Sequence, residues 1–129
     1  MGLKATLKYI SHLNVVNREI GKFITRAVDR SSKVMERNVK AQMHKGWGVQ
    51  DGHLRRSIHS RMTSKTSGEV YNEATEGGRE INYAVHVEYG TRHMAPRAMF
   101  RRGVAESEPR IKEIFKEEAR KVHDKASGN

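Results

Sequence analysis

Cysteine is absent from this 129-residue chain. That excludes a disulfide framework, a Cys-ligated zinc or iron centre and a thiol nucleophile. Aromatic residues make up only 6% of the chain and hydrophobic residues 36%, so one small core is expected, although the apolar content is too high for a disordered chain. No stretch approaches the roughly eighteen consecutive apolar residues of a membrane span. The start, Met1-Gly2-Leu3-Lys4, carries no apolar run long enough to read as a secretory signal. There is no Gly-x-x-x-x-Gly-Lys phosphate loop and no Gly-x-Ser-x-Gly elbow. The seven histidines (His12, His44, His53, His59, His86, His93 and His123) include no His-x-x-x-His pair. No metal, no cofactor and no enzymatic activity are therefore expected. Acidic residues are outnumbered, 15 Asp and Glu against 25 Lys and Arg, for a formal net charge of +10. That balance points to a polyanionic partner, nucleic acid before membrane.

What is present is periodic. Leu13, Val16, Ile20, Phe23, Ile24, Ala27, Val28, Val34, Met35, Val39 and Met43 recur at spacings of a helical face, predicting an amphipathic helix over 11–44, about 50 Å long. Its apolar stripe thins at Ser31 and Ser32, and Gly46-Trp47-Gly48 ends it. Asp51 is placed to cap a short helical turn through Arg56. Ile58, Ser60 and Met62 then alternate with His59 and Arg61, a half-buried strand, and with Glu69-Val-Tyr-Asn72 it forms a hairpin over about 57–72. Residues 81–89 read either as a strand or as a short helix. The helix is favoured because Gly90 suits the position just past a helix end. From Ala98 the chain is helical again through Phe100, Val104, Ile111, Ile114, Phe115, Ala119 and Val122, with a break expected near Ser107 so that Pro109 falls in a first turn. The expected fold is α+β: a long N-terminal helix and a C-terminal helix packed on a small antiparallel sheet, a single domain over 1–129 with frayed ends at about 1–10 and 125–129.

The charge is organised as well. Arg18, Lys22, Arg26, Arg30, Lys33, Arg37 and Lys40 advance in steps of 4, 4, 4, 3, 4 and 3 residues. They lie in one line about 33 Å long on the side of the helix opposite its apolar stripe. A solvated face carries such residues too, but usually with mixed signs, because like charges a turn apart repel. Only Glu19, Asp29 and Glu36 interrupt the row. Duplex DNA, with one charge per roughly 1.7 Å of axis, is the natural counter-ion, contacted through phosphate and without sequence readout.

Two segments carry a resemblance. Asp51-Gly-His-Leu-Arg-Arg-Ser-Ile58 is similar to a Thr-Gly-x-Leu-Arg-x-Ser-Ile motif, with Asp51 in the place of Thr. Tyr83-Ala-Val-His-Val-Glu-Tyr-Gly-Thr91, followed by Met94-Ala-Pro-Arg-Ala-Met-Phe100-Arg, resembles Tyr-Ala-x-x-Val-Glu-Phe-Gly-Thr … Pro-x-Arg-Pro-Phe-Leu-Arg, with Ala98-Met99 in the Pro-Phe region. Over roughly residues 11–122 the chain resembles the gene-product-ten-like tail-component family of lambdoid long-tailed phages. The resemblance implies a structural neck or tail-completion protein without catalytic residues, assembled in the host cytoplasm and located in the virion at the head–tail junction. Its partners would be copies of itself in a ring around the DNA exit channel and other neck and tail proteins, such as the connector, the tail terminator or the tube. A closed ring needs head-to-tail contacts, for which Trp47, Leu54, Tyr83, Val87, Tyr89, Met94, Met99 and Phe100 are the interface candidates. The seven cations of the first helix are the candidates for facing nonspecific double-stranded DNA in the bore. The alternative is a free, sequence-nonspecific duplex-DNA-binding protein.

Overall fold

The computed structural model describes residues 3–8, 18–42, 54–73, 85–86, 88–92 and 95–126. The elements are β1 (Lys4–Lys8), α1 (Arg18–Ala41), β2 (Ile58–Ser64), β3 (Ser67–Asn72) and α2 (Met99–Ala126). The strands form an antiparallel sheet in the order β1-β3-β2, and the two helices pack beside it, as the α+β reading expects.

The hairpin lies where its alternation puts it. Ser60 and Ala5 flank Val70, and Leu7 faces Gly68, so the small and apolar positions share the face that meets α1. The strand β1 differs from the sequence reading, which left 1–10 as a frayed end. Its alternation of exposed Lys4, Thr6 and Lys8 with half-buried Ala5 and Leu7 is too short to stand out in the sequence. It becomes a strand because β3 offers it a ladder and α1 a surface to cover. Of the helix expected over 11–44, Arg18–Ala41 is observed; 11–17 and 43–44 lie outside the described residues, as do Asp51 and its cap. Residues 54–57 are helical, as are 85–86 and 88–89. Gly90, at φ 77°, donates its N–H to the His86 carbonyl at 2.7 Å, so the described residues of this segment follow the helical alternative, while 81–84 and 87 lie outside the described residues.

The core joins Met35 and Val39 of α1, Leu54, Ile58 and Val70 below them, and Met99 and Phe100 of α2. Where the apolar stripe of α1 thins, Ser31 and Ser32 are fully buried. The Ser32 hydroxyl donates to the Val28 carbonyl at 2.9 Å, and Gly68 packs so tightly on Ser32 that a Cβ there would collide with its oxygen. The thin stretch is thus the place where the sheet comes close to the helix. The two helices meet in the same way. A Cβ built on Gly103 would lie 2.6 Å from Val39 Cα, so the backbones cross with no side chain between them.

One expectation fails. α2 runs unbroken for 28 residues with Pro109 inside it. Ser107 is no N-cap: its hydroxyl donates to the Gly103 carbonyl at 2.7 Å and accepts from Asn38 Nδ2 at 2.9 Å. An interior proline costs about 3 kcal/mol. Here the helix is pinned to α1 on both sides of it, by Gly103 and Ser107 before and by buried Ile114 and the Phe115–Phe23 edge contact at 6.4 Å after. Pro109 itself is exposed.

The two helical glycines therefore behave oppositely. Gly103→Ala lowers stability by about 1–3 kcal/mol through overpacking at the crossing. Gly21→Ala, with nothing within 4 Å of the added carbon, raises it by up to about 1 kcal/mol. Urea unfolding of the two variants beside the wild type measures both.

Candidate assembly surface and its supporting clamp

α2 begins without help from its own sequence. It has no acidic residue in its first turn, and Ala98 occupies the N-cap position, its carbonyl accepting from Arg102 N at 2.9 Å. Alanine has no oxygen to cap with, and Ala98 has a left-handed φ of 50°, a cost of roughly 1–2 kcal/mol for a residue with a Cβ. The cap arrives from ten residues upstream. The Glu88 carboxylate accepts from Phe100 N at 2.7 Å and from Arg101 N at 3.1 Å. It also takes Arg101 Nε at 2.8 Å, while the Glu88 carbonyl accepts Arg101 Nη2 at 2.8 Å and Ala98 N at 3.2 Å. Glu88 is 1% exposed. A buried negative charge is tolerable here because it sits at a helix N-terminus, with backbone N–H groups and a guanidinium on its oxygens. Beside it, Tyr89 is 60% exposed, its ring 5.1 Å from Arg101 Cζ.

The sequence reading singled out Tyr89 but passed over Glu88. The signal was its place inside Val-Glu-Tyr-Gly-Thr, a few residues before a helix that starts on alanine. The helical choice for 81–89 gave Glu88 no visible task, because its partners, the Phe100 and Arg101 amides and the Arg101 guanidinium, lie a dozen residues on.

The line of cations on α1 is no uncompensated row. Arg30 Nη2 lies 2.8 Å from Glu117, and Arg30 Nη1 and Arg26 Nε each lie 3.4 Å from Glu118. Lys121 adds a third cation to the buried Glu118 at 3.4 Å. Arg110 holds Glu117 from the other side at 2.8 Å. Hydrogen bonds from Arg30 and then Arg110 bring the Glu117 carboxyl from its ordinary 4.5 down to about 2. Lys33 pairs with Asp29 at 3.0 Å. The reason is geometric: α2 lies alongside α1 and presents adjacent carboxylates to its flank, which no pattern within 18–40 discloses. Lys22 and Arg37 are exposed and Lys40 half-buried. Arg18 opens α1, and its side chain lies outside those described.

The interface candidates divide three ways. Leu54, Met99 and Phe100 are corrected to the chain's own core, at 0%, 0% and 5% exposure. The start of α2, capped by Glu88, carries Met99 and Phe100 inward, and Leu54 enters from the helical turn before β2, so this core absorbs more apolar surface than its composition suggests. Tyr89 stands out from the surface. Trp47, Tyr83, Val87 and Met94 lie outside the described residues. Among the described residues no three His, Asp or Glu side chains gather as a metal-holding group. His59 Nε2 lies 3.1 Å from Glu73 at the sheet surface.

Fold and clamp together define a small α+β protein, in which the buried Glu88 and Glu118 lock a loop to a helix and a helix to a helix. A family described as "Bacteriophage HK97-gp10, putative tail-component" matches residues 8–90, well over half the chain, and the chain belongs to this family of phage tail components. The matched stretch takes in α1, the hairpin and Glu88 and stops short of α2. No curated protein and no solved structure matches the chain.

Two outcomes follow from the clamps. Loss of a helix N-cap costs about 0.5–2 kcal/mol, and because Arg101 is largely exposed and can turn to water, Glu88→Ala is expected to lose about this much in chemical denaturation. The depressed Glu117 carboxyl contributes stability that is complete above pH 4.5 and is lost as pH falls from 4.5 towards 2. Glu117→Gln therefore shows a shallower acid-induced loss across that window than the wild type, followed by circular dichroism.

Proposed function

We propose that this structural tail component is a neck or tail-completion protein, forming part of a ring at the head–tail junction around the DNA exit channel of the virion. The observation that carries the reading is the family match over residues 8–90. Ring closure requires two different surfaces of each copy to meet head to tail. Exposed Tyr89 with Arg101 across its ring is of the residue composition that such contacts favour.

The cations available to the channel are fewer than the seven of the original row, because Arg26 and Arg30 are held by Glu117 and Glu118. Lys33 is paired with Asp29, so of the row the exposed Lys22 and Arg37 and the half-buried Lys40, with Arg18 at the start of α1, are the residues that would face passing duplex DNA. Contacts of this kind attract phosphate without reading bases, which leaves the genome free to slide. The free DNA-binding reading gains nothing from the structure, since the centre of its charge row is neutralised within the chain.

Deleting the gene from its phage tests the role. DNA-filled heads and finished tails should accumulate unjoined, infectivity should collapse, and the purified chain added to the extract should restore joining. Normal infectious particles from the deletion would overturn the reading.

A further inference from the structure

The outer flank of α2 is charged at one spacing. Arg102, Glu106, Glu113, Glu117 and Arg120 follow one another at 4, 7, 4 and 3 residues, which keeps them within about 60° of each other around the helix. The opposite flank holds Val104 and Ile111, packed against the core, and Gly103 and Ser107 lie between the two flanks, against α1. The contacts of Gly103 with Val39, Glu117 with Arg30 and Glu118 with Arg26 run in opposite directions along the two helices, so α1 and α2 are antiparallel. Arg37 stands two turns from Arg30 on the same side of α1. Ser32, which meets the sheet at Gly68, lies about 140° around α1 from Arg37. The helix pair therefore has one shared outer face, turned away from the sheet, with Arg37 beside the charged flank of α2.

The acids of this face are all engaged. Glu106 accepts from Gln42 Nε2 at 2.8 Å and Glu113 from Arg110 at 3.1 Å. Glu117 is held by Arg30 and Arg110, each at 2.8 Å. Arg37, Arg102 and Arg120 are exposed, and their side chains make no ion pair among the described residues. Arg102 and Arg37 flank the place where Gly103 touches Val39, and Arg120 stands about 27 Å further along α2. Three guanidinium groups thus await an anion from outside the chain. Their planar forks suit phosphate oxygens. A protein partner would seek an apolar centre, whereas the large hydrophobic side chain exposed among the described residues, Tyr89, lies beside Arg101, around the helix from this flank. We propose that Arg102 and Arg120 join Arg37 in one phosphate-binding face built by both helices, and that its occupant is the backbone of duplex DNA. The partner rests on the channel reading above; what is added is that the surface turned to the genome is a helix pair, not α1 alone. A span of about 27 Å is shorter than one duplex turn of about 34 Å, so the three arginines would engage phosphates within a single turn and leave the bases unread.

The full chain is titrated against a fluorescent duplex of about 30 base pairs, and anisotropy gives the affinity from low to physiological salt. The slope of log affinity against log salt reports the number of phosphates neutralised. Arg37→Ala, Arg102→Ala and Arg120→Ala should each make that slope shallower by about one, and the triple variant by about three. Their urea midpoints should match the wild type, since all three side chains are exposed. Lys8→Ala removes the same charge from the other side of the molecule, where Lys8 is exposed on β1, and should leave the slope as it was. Absence of duplex binding at low salt would overturn the proposal, as would slopes that the arginine variants change no more than Lys8→Ala does. Unaltered duplex binding by a triple variant that no longer restores head–tail joining would also overturn it, and would assign the face to a protein. Infectious particles from the gene deletion would remove the tail role and leave these slopes untouched, so the two failures are told apart.

Discussion

A single buried carboxylate, that of Glu88, decides how the last third of the chain meets the rest. Its two oxygens occupy the N–H groups of Phe100 and Arg101 and the Arg101 guanidinium, so the helix that follows begins at a fixed place and angle. Met99 and Phe100 stand at that start and belong to the core. If the cap were lost, the first turn would fray, since N-terminal helix amides have no partners of their own, and two core side chains would loosen with it. The left-handed Ala98 shows the arrangement under load: a conformation alanine disfavours is held between the Glu88 carbonyl and the first helical bond.

The rest of α2 is secured by close approach and by charge. Gly103 lets the helix backbones touch at Val39. Further along, Arg26 and Arg30 cross to Glu118 and Glu117. Burial of a carboxylate carries a desolvation cost that geometry must repay; Glu118 answers it with three cations, and Glu117, less buried, with Arg30 and Arg110. A chain with a formal charge of +10 thus spends part of its excess on internal fastening. Part of what remains outward lies on the solvent side of α1.

Periodicity made the helices and the hairpin legible, because each buries one face against something and that face is written at its own spacing. The resemblance carried by Tyr83–Thr91 and Met94–Phe100 pointed to the right family for the same stretch that contains Glu88. What stayed hidden depends on approach in three dimensions. β1 is too short to announce itself and exists because β3 pairs with it. Pro109 breaks a lone helix but not one clamped on both sides. The row from Arg18 to Lys40 looks like a nucleic-acid ribbon only while the carboxylates of α2, some ninety residues away in sequence, are out of sight. Met99 and Phe100 look like surplus apolar surface until the cap turns them inward, as Leu54 does until the turn before β2 buries it, whereas Tyr89, next to the buried acid, is left outside.

The clamp is tested most directly by native-state hydrogen exchange of the unmodified protein. If the Glu88 carboxylate holds the start of α2, the Phe100 and Arg101 amides exchange nearly as slowly as that of Ile114 in the middle of the helix, despite lying in the first turn. Exchange of those two amides at the rate of an uncapped, fraying helix end would contradict it.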